Sequence, residues 1–199
     1  MTGSKYFVTQ GGILVPGIVS YPALLKKGEI NSPITFYDWT PTFSKLCGLK
    51  VKPADSKKWN GIDVTGLLKQ PRTLNRTLIW EYSRYEPIEF SNSAVRQGDW
   101  KLVWKYRAGT NLKDKEDNAD YIYGLTHEHQ IKTITKDLPV FEVGAIEKPA
   151  LYNLSDDPGE KTDLSDKYPV RVSKLTKIYQ EWFKNAIKRC EIARKENIQ

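Results

Sequence analysis

Ser93-Ala-Val-Arg-Gln-Gly-Asp-Trp-Lys-Leu-Val-Trp-Lys-Tyr106 decides how the chain is read. Ser93–Val95 is strand-like. In Trp100–Tyr106 the apolar Trp100, Leu102 and Trp104 alternate with Lys101 and Lys105, the two-residue period of a half-buried strand. Gln97-Gly98-Asp99 between them reads as a tight hairpin turn. Thr77–Tyr82 (Thr-Leu-Ile-Trp-Glu-Tyr) supplies a strand before the hairpin and Ala150–Leu154 one after it. The latter is stopped by Ser155-Asp-Asp-Pro-Gly159, a dense turn signal. From Val170 to about Ala193, Val172, Leu175, Ile178, Tyr179, Trp182, Phe183, Ala186 and Ile187 recur every three or four residues behind Pro169. That is the pattern of an amphipathic helix. The expectation is an α+β fold: about four antiparallel strands covered by a C-terminal helix.

The first third has a different character. Residues 12–19 (Gly-Ile-Leu-Val-Pro-Gly-Ile-Val) form an apolar run that predicts a short buried strand, with Pro16 marking an edge or an end. Asp38-Trp-Thr-Pro41 predicts a helix start, with Asp38 as the capping residue and Pro41 in the first turn; Phe43, Leu46 and Cys47 follow at helical spacing, and Gly48 closes it. Residues 50–62 read as a loop, and 107–149, charged and poorly periodic, as a long surface insertion. The strand at 12–19 has no sequence-adjacent partner, which suggests a sheet whose other members lie outside this chain.

With 199 residues and a net charge of +7, the chain is long enough for a real core and basic enough to attract polyanions. The lysines are scattered and no nucleic-acid motif appears, so ordinary solvated surface and an anionic substrate both stand ahead of nucleic acid. No apolar run is long enough to span a membrane, and the N-terminus reads as carrying no export signal. Cys47 and Cys190 form no redox or metal pattern, and Cys47 reads as a small buried hydrophobe. His127 and His129 make a His-x-His pair without a third ligand, weaker as a metal site than as an exposed pair. Asp156-Asp157 fits turn chemistry better than cation binding.

Five stretches then share an order. Gly3-Ser-Lys5, continuing through Gln10-Gly-Gly-Ile-Leu-Val-Pro16, resembles the sulfatase signature G-x-K-x-x-x-x-E-G-G-x-R-x-P. Asp38-Trp-Thr-Pro-Thr42 with Leu46-Cys-Gly48 is similar to D-x-x-P-T before an A-G pair. Asn60-Gly-Ile-Asp63 with Leu67-Leu68 is similar to that family's D-G-x-D/S-L-x-x-L-L. Val95-Arg-Gln-Gly-Asp-Trp-Lys-Leu102 resembles V-R-x-G-x-W-K-L, and Leu151-Tyr-Asn-Leu-Ser-Asp-Asp-Pro158 resembles L-Y-D-L-x-x-D-P, with Glu160 close behind. On these residues the chain resembles the C-terminal part of a formylglycine-dependent sulfatase. Gln10 and Leu14 depart from the pattern, which has Glu and Arg there.

The resemblance implies roles. Lys5 falls where family members place a lysine on the substrate's sulfate group, a task suited to a compact ammonium with three donors. Glu81, Arg84 and Tyr85 lie where relatives often recognise substrate, a guanidinium forking to an anion and a tyrosine stacking on a sugar ring. The bland alternative is a strand-end ion pair beside half-buried aromatics. The intact enzyme would use Ca2+ and a formylglycine made from Cys or Ser in C/S-x-P/A-x-R; this motif does not occur in the chain, and Cys47 does not fit it. Residues 1–70 would be a remnant of the catalytic α/β domain and 71–199 the C-terminal subdomain. The expected function is therefore a fragment of a sulfuric ester hydrolase, inactive alone, whose partners are a sulfate ester, a sulfated glycan in particular, and a missing N-terminal catalytic domain. The alternative is a non-catalytic sulfated-glycan-binding or interaction module. A periplasmic or secreted setting is compatible with the intact protein.

Overall fold

The computed structural model describes residues 1–57, 59–83, 87–107 and 144–197, and they fall into two compact units. One comprises Met1–Leu14 with Thr77–Gln199, the other Val15–Arg76.

In the first unit, β1 (Thr77–Glu81), β2 (Ser93–Gln97), β3 (Trp100–Trp104) and β4 (Ala150–Asn153) form one antiparallel sheet in the order β1-β2-β3-β4. The hairpin register is set by Gln97↔Trp100. Its two-residue loop puts Gly98 at φ 60°, where a side chain would strain the backbone. Alternation sorts the side chains between the two faces. Val95, Leu102, Trp104 and Leu151 face the C-terminal helix (Pro169–Asn197) and pack with Phe90 around Leu175 and Tyr179. The rings of Phe90, Trp104 and Tyr179 interlock at 4.9–5.3 Å between centroids. On the other face, Ala94 and Val103 pack with Trp80, Tyr82 and Tyr152 beneath Val8 of the N-terminal segment. That segment, residues 1–14, is a strap lying across the sheet and ends in one helical turn, Gln10–Ile13.

The second unit contains a 3-10 turn (Phe36–Asp38) running into the helix Trp39–Leu46, then short helices Pro53–Ser56 and Thr65–Lys69. Its core is Val64, Leu67 and Leu68 with Leu25, Ile30, Ile34, Trp39 and Leu74 around them.

Three expectations need correcting. Residues 12–19 form no strand: Leu14 ends the first helical turn, and Val15 and Ile18 are 77% and 95% exposed. An apolar run becomes a strand only against a pairing edge, and no described residue offers one. Cys47 is exposed rather than buried. Asp38 does not cap Trp39–Leu46 with its side chain. Its Oδ2 instead accepts from the backbone N–H and hydroxyl of Thr35 at 2.7 and 2.8 Å, closing the preceding turn. His127, His129 and most of the 107–149 insertion lie outside the described residues.

Candidate functional site

The strap is held by groups from distant parts of the chain. Lys101 lies on the strap side of β3 and is fully buried. Its ammonium has three donors and three acceptors: Glu160 Oε1 at 2.7 Å, Val8 O at 2.8 Å and Gln10 Oε1 at 3.3 Å. The Glu160 carboxylate is equally buried, and its Oε2 accepts the Gln10 backbone N–H at 2.6 Å. Burial depresses the Lys101 ammonium below the usual lysine range, and Arg96 adds to this, while Glu160 opposes both. Because Gln10 is neutral, Lys101 meets one carboxylate here rather than two. The Trp80 ring lies 5.6 Å from the same ammonium.

Two further features fix the strap's path. Asn92, at φ 42°, donates from Nδ2 to Tyr6 O at 2.7 Å and Tyr82 O at 3.2 Å, and its Oδ1 accepts from Val8 N. Gly12 packs so closely that an added Cβ would stand 1.9 Å from Phe7 O. At Gly11 it would stand 2.4 Å from Gly3 O. Glycine is required at both positions by space alone.

This scaffold carries Lys5 on a turn closed by the Phe7 N–H to Ser4 O bond, with Tyr6 at φ 80°. Lys5 is exposed, its ammonium 5.1 Å from the Tyr6 ring centroid. The Tyr6 ring in turn meets Tyr82 at 5.5 Å. The result is an exposed cation beside the Tyr6 ring, which is itself backed by Tyr82, on a fixed backbone suited to holding an anionic oxygen.

Glu81 is not part of that cluster. It pairs with Ser93 in the register and lies on the helix side of the sheet, one residue and one face away from Tyr82. Burial pushes its carboxyl up to about 7, although the Ile88 N–H donates to it at 3.1 Å and favours the ionised form. Arg84 and Tyr85 lie outside the described residues. Among the described residues, no three His, Cys, Asp or Glu side chains converge as they would around a metal ion. No helix among them is long and apolar enough to cross a membrane. Asp157 works within its turn, its Oδ2 accepting from the N–H groups of Lys161 and Thr162 at 2.7 and 2.8 Å.

The second unit has its own lock. Asp38, fully buried, forms a forked ion pair with Arg76 at 2.9 and 2.7 Å and accepts the Ile62 N–H at 3.0 Å. Burial alone would raise its pKa, but these bonds hold it below the usual carboxylate range. The Thr42 hydroxyl donates to Asp38 O and accepts from Val64 N. Gly61 passes so near Tyr37 O that a Cβ would stand 2.0 Å from it. The five sequence stretches thus meet in two groups, each within one unit. The Lys5, Trp100-Lys101 and Asp157–Glu160 stretches meet in one unit, and the Asp38 and Gly61 stretches meet in the other. Sequence reasoning missed Lys101, whose place in an alternating strand argued for a polar exterior; the strap that buries it is more than ninety residues away.

No family model matches the chain. Among curated proteins it is 24% identical to arylsulfatase A of Bos taurus over 157 residues, covering 79% of this chain and 27% of that protein. It is 29% identical to an uncharacterized sulfatase of Schizosaccharomyces pombe over 117 residues, 53% of this chain and 20% of that protein. A sulfatase of Formosa agariphila matches at 21% over 162 residues, 80% of this chain and 24% of its own length. The chain therefore spans about a quarter of the length of these relatives. Among solved structures, Ps i-CgsB aligns over 76% of this chain and 24% of its own, with TM-score 0.46 and 15% identity. A protein solved with its substrate D-glucosamine-2-N,6-O-disulfate aligns over 74% and 23%, with TM-score 0.41 and 17% identity. Over a partial region the chain is similar in sequence to sulfatases, in agreement with the C-terminal part of a sulfatase.

Proposed function

We propose that this chain is part of a sulfuric ester hydrolase and supplies Lys5 to the sulfate group of the substrate. The single observation that carries this reading is the exposed ammonium of Lys5 on a backbone fixed by Asn92, Gly11, Gly12 and the buried Lys101–Glu160 pair. A preorganised cation of this kind can steady charge developing on sulfate and leaving oxygen without reorganising. Tyr6, backed by Tyr82, offers a ring beside it, a fit for a sulfated sugar, and the chain's charge of +7 favours a polyanionic glycan over a small aryl ester. Ca2+ belongs to the intact enzyme by its likeness to sulfatases, where it would offset sulfate charge. The residues described here contribute no cluster to hold it. Nor does the sequence contain C/S-x-P/A-x-R to furnish a nucleophile. On this reading turnover belongs to the chain's assembly with an N-terminal catalytic domain, to whose α/β fold residues 1–70 would contribute.

The test is Lys5→Ala in the assembled enzyme with a sulfate ester reporter. Losing a charge-assisted hydrogen bond costs about 1.5–3 kcal/mol, and more in a dry site. On that scale kcat/KM falls roughly ten- to a thousandfold at unchanged melting temperature. Activity within about threefold of the parent, or a fall only in step with unfolding, makes Lys5 scaffold.

A further inference from the structure

Lysines that look scattered along the sequence are aligned by the long C-terminal helix. Pro169–Asn197 holds eight Lys or Arg against three Glu, so this one element accounts for +5 of the chain's +7. Leu175 and Tyr179 bury the inner face, with Val172, Trp182 and Phe183 packed beside them. On the opposite face Lys174, Lys177, Lys184 and Lys188 follow at intervals of three, seven and four residues, and all four are exposed. At 1.5 Å per residue the row runs about 21 Å along the helix. Like charges at such spacing destabilise a helix by a few tenths of a kcal/mol per pair. Opposing acids would relieve that, yet among the described residues none of the four forms an ion pair. Glu181 is the only acid within the row.

We propose that this row is a docking surface for a linear sulfated polysaccharide, on the helix side of the sheet and away from the Lys5 turn. The proposal rests on the sulfate ester reading for its choice of polyanion. The row itself agrees with that choice. It is built of lysines, point charges that meet sulfate oxygens from any direction, without the arginine forks and exposed aromatic rings that read phosphates and stacked bases. Such a surface would hold a polymer while its sulfate esters are presented elsewhere, raising local concentration rather than rate.

The probe is heparin, titrated into the full chain at several salt concentrations. The K174Q/K177Q/K184Q/K188Q variant is expected to bind at least roughly tenfold more weakly near 50 mM salt, with a shallower dependence of log K on log salt. The corresponding four-arginine variant retains binding, because charge carries the contact. Helix content by circular dichroism should match the parent in both, since the four side chains are exposed. Desulfated heparin should not bind, and Lys26→Gln with Lys27→Gln, exposed lysines off the helix, should bind heparin as the parent does. Equal heparin affinity for the glutamine variant and the parent overturns the proposal. So does a duplex DNA of matched charge that binds more tightly than heparin and loses the same affinity in the variant. Failure of the sulfatase reading would show separately, as Lys5→Ala leaving turnover of the assembled enzyme intact.

Discussion

Truncating Lys101 to alanine would leave Glu160 as a buried carboxylate without its cation. Breaking such a pair costs about 3–5 kcal/mol, whereas replacing both partners by apolar residues of similar volume is often neutral. Lys101→Ala should therefore lower the free energy of unfolding by that amount, and Lys101→Met with Glu160→Leu by much less. Denaturant titration of the two variants side by side checks this. The Val8 carbonyl, the Gln10 side chain and the Gln10 backbone N–H would lose partners in the double variant, so some loss should persist. Glu81 makes a different prediction. Its folded carboxyl titrates at about 7, raised from 4.5 by burial. The folded state thus binds the proton more tightly than the unfolded chain does. That contribution is complete below pH 4.5 and is lost as pH rises through 7. Glu81→Gln should flatten the stability profile in this window, and a slope unchanged from the parent would assign the titration to another group. Asp38 acts in the opposite sense: its depressed carboxyl stabilises at neutral pH and the effect is lost on acidification.

At the scale of elements, the strap depends on the absence of a methyl group. Gly12→Ala puts a Cβ into the Phe7 carbonyl, so the Gln10–Ile13 turn and the Lys5 turn cannot both keep their places. Residues 1–14 should then be cut by protease faster than in the parent while the sheet and long helix keep their circular dichroism. Equal cleavage would mean that the strap tolerates the shift. The sheet and the long helix were legible in the sequence because their signals are local: alternation over five residues, a Gly-Asp turn, apolar residues every three or four positions. The strap was not. Nothing near Lys101 in sequence announces Glu160, Val8 and Gln10, and a lysine between Leu and Trp residues follows the ordinary pattern of a solvent-facing position. Lys5 is singled out by resemblance rather than chemistry, since a lone lysine on a turn has no signature of its own. The 12–19 run shows the converse limit: apolarity argues for burial, but only a partner makes a strand.

For the whole molecule, the consequence of that run is colloidal. Val15, Ile18 and Val19 stand exposed in the Val15–Arg76 unit, with Phe36, Phe43 and Leu49 exposed in the same unit. Apolar surface of this kind promotes association once patches exceed a few hundred Å². The purified chain should bind a hydrophobic dye and sediment as a concentration-dependent mixture, and Ile18→Ser should reduce both. A monodisperse monomer with little dye binding at high concentration would count against it.

The bond from Gln10 to Glu160 closes a loop of 150 residues. A ribosome adds roughly 5–20 residues per second, so about 8–30 s separate the synthesis of the two ends. For the first part of that interval the turn bearing Lys5 has neither Lys101 nor Glu160 to hold it; once Lys101 is made, Glu160 is still missing and β4 is unfinished. Its arrival is thereby scheduled after the sheet. A nascent chain halted before residue 160 would expose Val8, Ala94 and Val103 together, and this is the stage at which it has most need of a chaperone.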